Sequence, residues 1–212
     1  MSFFERIYRE TRSPYGDAAD PFLLEHVPAG DGAAALDAGG GTGRNALWLA
    51  RYGYRVDLID ASPAAVEAAK AAADGEGLAI HAYEVDLRSW RAEHRYALVL
   101  CAITLHVFKQ HRAEAVAATL RDAGASGGRF FISLHLAGGE EQREREAASQ
   151  SEVEPRTYVA NGHHKRLFTL DEAHALLGWP VEAEAIATDE RCPRAECPYR
   201  HQVYRGIARK PG

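Results

Sequence analysis

The sequence predicts an α/β protein in which a parallel β-sheet is covered by helices on both faces. Short apolar runs alternate along the chain with alanine-rich helical stretches, which is the rhythm of βαβ units. The first of these runs leads directly into a glycine cluster that opens a helix. The chain has 212 residues and carries no internal repeat or low-complexity linker. We therefore expect a single domain, residues 1–212.

Seven short apolar runs, each bounded by glycine, aspartate or charged residues, are the candidate strands. They cover residues 33–38, 55–60, 78–85, 96–103, 129–136, 181–188 and 201–209. Ser62 is a predicted N-cap with Pro63 at the first helical position, so a helix is expected after the second strand. Thr169 and Glu172 have the spacing of a capping box, which predicts another helix before the last two strands.

Two segments lie outside this rhythm. Residues 1–30 are expected to form an N-terminal cap helix and a turn, because Ser2 is a predicted N-cap with Glu5 three residues later. Residues 138–165 are polar, strongly charged and flanked by glycine. A solvated helix and loop is the favoured interpretation of this insert, and a mobile lid over a substrate site is the alternative.

Composition excludes several classes of partner. Lys plus Arg is 25 and Asp plus Glu is 30, which gives a net charge of -5 and argues against nucleic acid held through phosphate contacts. The longest apolar run, residues 96–105, is about half of the ~20 residues that cross a bilayer, so no membrane partner is expected. Three cysteines are too few for the disulfide framework of a secreted domain. A cytoplasmic location is predicted, and the oligomeric state is left open.

A glycine-rich loop at residues 37–45 joins the first strand to the first sheet-packing helix. Gly39, Gly41 and Gly43 allow the sharp turn that exposes backbone amides to a ligand. Asp37 precedes these glycines, and its carboxylate would repel a pyrophosphate but attract an ammonium or sulfonium group. The loop therefore favours a cationic ligand over a dinucleotide.

Two further acids end the next strands. Asp60 closes the second strand, in the position that accepts hydrogen bonds from the hydroxyls of a ribose. Asp86 follows the third strand and is placed to meet an adenine amino group. Together with the glycine loop, these acids predict an adenosyl ligand across the carboxyl ends of the strands.

In order and spacing, the residues 37–56 with Asp60 and Asp86 resemble class I S-adenosylmethionine-dependent methyltransferases. The resemblance covers about residues 30–136, and the Gly-Arg-Asn triplet at 43–45 is similar to the tellurite-resistance and the small thiol and thiopurine methyltransferases. It implies a Rossmann-like, seven-stranded sheet in the order 3-2-1-4-5-7-6 with strand 7 antiparallel, S-adenosylmethionine as cofactor and a small-molecule acceptor.

The resemblance also implies the residues around the methyl donor. They are Tyr15, Asp37, Gly39, Gly41, Gly43, Asp60, Ala61, Asp86, Leu87 and Cys101. It further implies that the first helix folds across the cofactor with Tyr8 and Tyr15, and that Arg12 pairs with the methionine carboxylate. The alternative is that these three side chains only pack against the protein or face solvent.

A second enzyme class shares part of the pattern. Residues 41–46 also satisfy G-x-G-x-x-A, and Asp60 lies near the offset of the ribose acid in nicotinamide-dependent oxidoreductases. Asp37, and the lack of room for a separate catalytic domain, argue against this alternative.

His106 follows the fourth strand, where the fold opens its acceptor pocket, and is the predicted catalytic residue. Its ordinary pKa of about 6.5 suits a general base. The alternative is a histidine that packs beneath the pocket and holds the loop. Further histidines occur in the same half of the chain, at His135, His163, His164 and His201.

Cys192, Cys197 and His201 have the spacing C-x4-C-x3-H, which predicts a metal site in the turn between strands 6 and 7. His163 or His164 is the expected fourth ligand. An exposed hairpin with incidental cysteines, or a disulfide, is the alternative. If the thiols bind a soft atom, one interpretation is that the substrate supplies it. The substrate would then be a tellurium, selenium or arsenic species or a metal-bound thiolate. A metal- or metalloid-binding protein on a methyltransferase scaffold is therefore the second functional hypothesis.

Overall fold

A computed structural model describes residues 1–148, 150–160, 162–192, 197 and 199–212. The α-helices are α1 (Phe3–Glu10), α2 (Pro21–His26), α3 (Arg44–Arg51), α4 (Pro63–Glu76), α5 (Gln110–Ala123), α6 (Glu140–Ala147) and α7 (Leu170–Leu177). The strands are β1 (Ala34–Ala38), β2 (Arg55–Asp60), β3 (Ile80–Glu84), β4 (Tyr96–Ala102), β5 (Gly124–His135), β6 (Glu152–Glu154), β7 (Thr157–Ala160), β8 (His163–Arg166), β9 (Val181–Arg191) and β10 (Arg200–Arg209).

The main sheet has seven strands in the order β3-β2-β1-β4-β5-β10-β9. Neighbours from β3 to β5 run parallel, whereas β10 is antiparallel to both β5 and β9. Because β9 and β10 are the sixth and seventh strands of this sheet in chain order, the predicted order 3-2-1-4-5-7-6 and the antiparallel seventh strand are confirmed.

Hydrophobic cores lie on both faces of the sheet. Leu36 of β1 and Val99 of β4 pack with α5 and α7 on one face, while their neighbours Ala35 and Leu98 pack with α3 and α4 on the other. Successive residues of a strand point to opposite faces, so strands buried on both sides are continuously apolar. This accounts for the clear signal of the central strands in the sequence.

The predicted helix caps are present. The Ser62 side chain accepts a hydrogen bond from the amide of Ala65 at the start of α4. Thr169 and Glu172 form both halves of the capping box of α7, which ends at Gly178 in the left-handed conformation. Among the described residues, no helix combines the length and apolar character needed to cross a lipid bilayer.

The insert at residues 138–165 contains more structure than a solvated helix and loop. After α6, strands β6, β7 and β8 form a separate antiparallel sheet. Its last strand reads His-His-Lys-Arg and has no apolar alternation, so periodicity gives no indication of it. Ser149 and Asn161 of the insert lie outside the described residues. The lid interpretation stays a prediction.

A buried ion pair ties the N-terminal segment to the last strand. Asp20, the N-cap of α2, receives hydrogen bonds of 2.8 Å on both carboxylate oxygens from Nε of Arg205 in β10. Both residues are buried. Loss of one charge leaves the other buried without its main partner, which is far costlier than loss of an exposed pair.

The variant Asp20→Asn keeps an N-cap oxygen but removes the charge. We expect it to lower the free energy of unfolding by about 3 kcal/mol, measured by urea denaturation. The matched control is Asp189→Asn, which breaks an exposed pair with Arg200 and should cost less than about 1 kcal/mol. Equal effects of the two changes would contradict the structural role of the buried pair.

Candidate functional site

A cavity of about 980 Å³ lies along the carboxyl ends of the central strands. The glycine loop after β1, the end of β2 and the segment after β4 border one part of it, which α1 covers and which we call the donor part. The insert and the β9–β10 turn border the other part, which we call the acceptor part. Eight predicted donor-site residues line it: Tyr15, Asp37, Gly39, Gly41, Asp60, Ala61, Asp86 and Leu87. The structure thus brings together most of the residues that the resemblance implied.

The glycine loop has no space for side chains. Gly39 and Gly41 have positive φ angles of 72° and 57°. A Cβ atom on Gly39 would collide with the Thr104 side chain, and one on Gly41 would lie 2.7 Å from the Tyr8 hydroxyl. The Gly41 amide donates to the Asp60 carboxylate at 2.9 Å. Glycine is therefore required at both positions.

Asp37 is a buried carboxyl group whose charge is poorly compensated. Burial raises its pKa to about 7, although Arg44 and the Ala46 amide oppose the shift. Within the described ranges, its Oδ2 is buried and has no hydrogen-bond partner. A bound cation would supply the missing partner, as expected from the sequence.

Asp60 and Asp86 differ in their surroundings. Partial burial raises the pKa of Asp60, while the amides of Ser62 and Gly41 hydrogen-bond to its carboxylate and partly offset the shift. The pKa of Asp86 is lowered because the Arg88 side chain hydrogen-bonds to it. Asp60 thus fixes the glycine loop while it faces the cavity.

Helix α1 covers the donor part of the cavity because Glu5 anchors it to α4. The Glu5 carboxylate accepts hydrogen bonds from the Ser62 hydroxyl and, at 3.2 Å, from the Ala64 amide. This anchor holds Tyr8 against the glycine loop, where its ring meets Tyr15 edge to face at 6.2 Å. The predicted position of this helix over the loop agrees with the structure.

For Arg12, the structure agrees with the alternative of a solvent-facing side chain. Arg12 follows the end of α1 at Glu10, is exposed and is not among the residues that line the cavity. Arg44, the first residue of α3, lines the cavity instead, and its Nη1 lies 3.4 Å from the Tyr15 carbonyl oxygen. Arg44 was visible in the glycine motif, but only the fold shows that it faces the ligand space.

Two predicted donor-site residues do not line the cavity. Gly43 is the N-cap of α3, in the left-handed conformation. Cys101 belongs to the core, and burial raises the pKa of its thiol above the ordinary range. A direct role of either residue in cofactor binding stays a prediction.

His106 is a buried residue of the segment after β4 and lines the cavity, where its stacking on His135 places it beside the acceptor part. Burial and the nearby Lys165 ammonium lower its pKa well below the usual value, so the imidazole is neutral at neutral pH. In the part of the chain that the structure describes, its Nδ1 has no hydrogen-bond partner. The His106 ring stacks on His135 at 5.5 Å, and His135 stacks on His201 at 4.0 Å.

A buried charge cluster supports this stack, and sequence reasoning missed it. The Glu141 carboxylate of α6 lies 3.2 Å from Nδ1 of His135 and 2.8 Å from Nδ1 of His201. Arg145 binds its other oxygen at 2.8 Å. Lys165 of β8 lies 2.5 Å from Nδ1 of His135. Glu141, Arg145 and Lys165 come from the segment whose charges indicated a solvated surface.

Cys192, Cys197 and His201 also line the cavity, and their potential ligand atoms all lie within 4.8 Å of one another. Sγ of Cys197 is 3.5 Å from Nε2 of His201. The predicted grouping of these three residues agrees with the structure. Residues 193–196 and 198 of the same turn lie outside the described residues.

The expected fourth ligand is not at this cluster. Neither His163 nor His164 belongs to a metal-compatible group among the residues described. His163 stacks on Phe3 of α1 at 4.4 Å instead. The second metal-compatible group consists of His135, Glu141 and His201, so the two groups share His201.

Comparison with known proteins shows a likeness to methyltransferases. Residues 35–128 match the family described as methyltransferase domain. A protein of Bacillus subtilis (strain 168), described as the uncharacterized methyltransferase YodH, is 38% identical over 74 residues, which are 35% of this chain and 32% of that protein. The chain thus matches about a third of the length of this relative.

Solved structures extend the likeness to the whole chain. A structure described as the conversion of a disulfide bond into a thioacetal group during echinomycin biosynthesis is 27% identical, covers 98% of this chain and 91% of its own, and has a TM-score of 0.70. An S-adenosylmethionine-dependent methyltransferase from Methanosarcina mazei has a TM-score of 0.77 at 16% identity, with 92% and 99% covered. TehB from Haemophilus influenzae has a TM-score of 0.64 at 16% identity, with 90% and 60% covered.

Residues 35–128 thus match a methyltransferase domain, and the chain has the fold of S-adenosylmethionine-dependent methyltransferases. The family match is to methyltransferases, whereas the G-x-G-x-x-A pattern also allowed nicotinamide-dependent oxidoreductases. At 16% identity, the likeness to TehB is one of fold, so special closeness to the tellurite-resistance and thiopurine types stays a prediction.

The raised pKa of Asp37 predicts pH-dependent donor binding. Ionised Asp37 attracts the cationic donor, and the protonated form does not, so affinity should fall as the pH drops through about 7. We expect the affinity of the unaltered protein for S-adenosylmethionine, divided by that of Asp37→Asn, to fall about 5- to 10-fold between about pH 8 and about pH 6, measured by calorimetry.

Asp37→Asn also controls for titration of the donor itself, because the donor's own groups titrate equally when it binds the variant and the unaltered protein. A ratio of the two dissociation constants that stays constant across this pH range would contradict the electrostatic role of Asp37.

Proposed function

We propose that this chain transfers the methyl group of S-adenosylmethionine to a small-molecule acceptor whose nucleophile is a soft atom of the sulfur, selenium or tellurium type. One observation carries the proposal: a single cavity joins the glycine loop and acids of the donor site to the thiols and imidazoles of the acceptor part. In-line transfer from a sulfonium needs donor and nucleophile in one enclosed space.

The donor part fits S-adenosylmethionine in shape and charge. Gly39 and Gly41 leave a cradle that a Cβ atom would fill, and the buried Asp37 oxygen lacks a partner in the described chain. Asp60 would hold the ribose hydroxyls, and Arg44 is available for the methionine carboxylate. When bound, the cofactor supplies the methyl group, and the loop and the acids fix its orientation.

The environment of His106 favours a soft nucleophile. An alcohol or amine acceptor needs a base that takes up its proton, and that base must be stable as a cation. Burial and Lys165 lower the pKa of His106 well below its usual value, so its protonated form is disfavoured. A thiol or a heavier chalcogen ionises or reacts without a strong base, and this site can accommodate it.

Two further observations support the choice of acceptor. The 27% identical structure concerns sulfur chemistry in its description, the conversion of a disulfide into a thioacetal. The net charge of -5 argues against a nucleic-acid acceptor held through its phosphates.

A second candidate is a metal- or metalloid-binding protein on a methyltransferase scaffold. The grouping of Cys192, Cys197 and His201 within 4.8 Å favours it. Elemental analysis combined with calorimetry against S-adenosylmethionine separates the two. Bound metal without donor affinity supports the second candidate, whereas donor affinity supports the first.

The role of His106 tests the acceptor class. With thiophenol as acceptor, we expect His106→Ala to lower kcat less than about tenfold, measured as S-adenosylhomocysteine formed. The control is His174→Ala, which changes an exposed imidazole outside the cavity, bonded to Glu184, and should leave the rate unchanged. If an aliphatic alcohol or amine is the better acceptor, and His106→Ala lowers its rate about 10²- to 10⁴-fold, the proposed nucleophile class is wrong.

A further inference from the structure

We infer that Cys192, Cys197 and His201 form a three-ligand zinc site whose open fourth position binds a thiol acceptor as its thiolate and presents it to the methyl donor. This inference rests on the proposed function and specifies its substrate class.

The two nitrogens of His201 have separate partners. Nε2 faces the thiols, 3.5 Å from Sγ of Cys197, and Nδ1 lies 2.8 Å from the Glu141 carboxylate. A histidine that binds a metal through one nitrogen commonly donates the other N–H to a carboxylate, which fixes the ring and strengthens the ligand. Glu141 is thus a positioning residue for the site.

The spacing of ligand atoms fits zinc. Zinc–sulfur and zinc–nitrogen bonds of about 2.3 and 2.0–2.1 Å, meeting at a tetrahedral angle, place the sulfur and nitrogen about 3.6 Å apart. The observed distance from Cys197 to His201 is 3.5 Å. The thiol of Cys192 is also in hydrogen-bond contact with Cys197 and with His201. Two thiolates and one imidazole are a ligand set that zinc prefers.

The neighbouring group of His135, Glu141 and His201 is less suited to a cation. The Lys165 ammonium lies 2.5 Å from Nδ1 of His135 and 3.7 Å from the Glu141 carboxylate. Arg145 also binds that carboxylate. Because two positive side chains already compensate Glu141, the thiol side of His201 is the favoured place for the metal.

Three protein ligands leave one position of a tetrahedral zinc ion for a substrate, as in catalytic rather than structural sites. All three ligands line the cavity that also contains the glycine loop. An acceptor thiol that binds there releases its proton to solvent. Its sulfur then forms a bond to the methyl carbon while the carbon–sulfonium bond breaks, and that electron pair returns to the donor's sulfur. The products are a methyl thioether, S-adenosylhomocysteine and one proton.

Metal content is the first test. Protein purified without chelator should hold about one zinc per chain, and Cys192→Ser and Cys197→Ser should each lose most of it. Cys101→Ala, which removes the core thiol outside the cluster, is the matched control and should keep its zinc. Zinc below about a tenth per chain in the unaltered protein, with none taken up on titration, would overturn the inference.

The role of Glu141 has its own readout. We expect Glu141→Gln to weaken zinc binding about 10- to 100-fold in a chelator competition. A merely structural role would lower the melting temperature of the metal-free protein and leave zinc affinity unchanged. That second pattern would contradict the positioning role.

Cobalt substitution tests the open position without relying on activity. Co²⁺ added to metal-free protein should give a thiolate charge-transfer band, and thiophenol should raise its intensity by about half, because two thiolate ligands become three. A spectrum that thiophenol leaves unchanged would overturn the open position.

Donor binding by the same samples distinguishes this inference from the proposed function. Calorimetry with S-adenosylmethionine should show affinity in both metal-free and zinc-loaded protein. If the donor binds and no metal does, only the zinc site is wrong. If metal and thiophenol bind but the donor does not, the proposed methyl transfer is wrong.

Discussion

The buried carboxylate of Glu141 organises the acceptor half of the molecule. It joins β5, α6, β8 and β10 through His135, Arg145, Lys165 and His201. A buried charge is tolerated only when it is paired and hydrogen-bonded. The buried Glu141 carboxylate therefore requires these elements to pack together, so that their side chains can pair with it. The same carboxylate fixes the ring of His201, and through it the direction in which the thiols and the imidazole face the cavity.

The donor half depends on a different constraint, the lack of space around the glycine loop. The loop lies between Thr104 and Tyr8, and the Asp60 carboxylate holds its backbone. The strain of positive φ angles at Gly39 and Gly41 is avoided because both residues are glycine. Asp37 then remains as a buried acid with an incomplete set of partners, which suits a cationic ligand. The two halves share one cavity, and this continuity supports methyl transfer as the proposed function.

Much of the fold and the donor site could be predicted from sequence because their signals are local. Strand β4 is apolar throughout, and β1 is apolar except for Asp37, since both sheet faces are covered. The glycine loop is contiguous with Asp37 in the sequence. The sheet of the insert could not be predicted, because its strands carry charges rather than alternating apolar residues. Glu141 and Lys165 appeared to be surface charges, since His135 and His201, which complete their buried cluster, lie on the distant strands β5 and β10. Arg44 lines the cavity and Arg12 does not, and only the tertiary structure shows which of the two arginines faces it.

A crystal structure with S-adenosylhomocysteine bound tests the central claim most directly, that donor and acceptor groups share one cavity. The account predicts the adenosyl group against Asp60 and Asp86, and the thioether sulfur directed toward the side of the cavity lined by His106 and the Cys192–His201 cluster. A ligand bound elsewhere, or a sulfur directed away from those side chains, would contradict it.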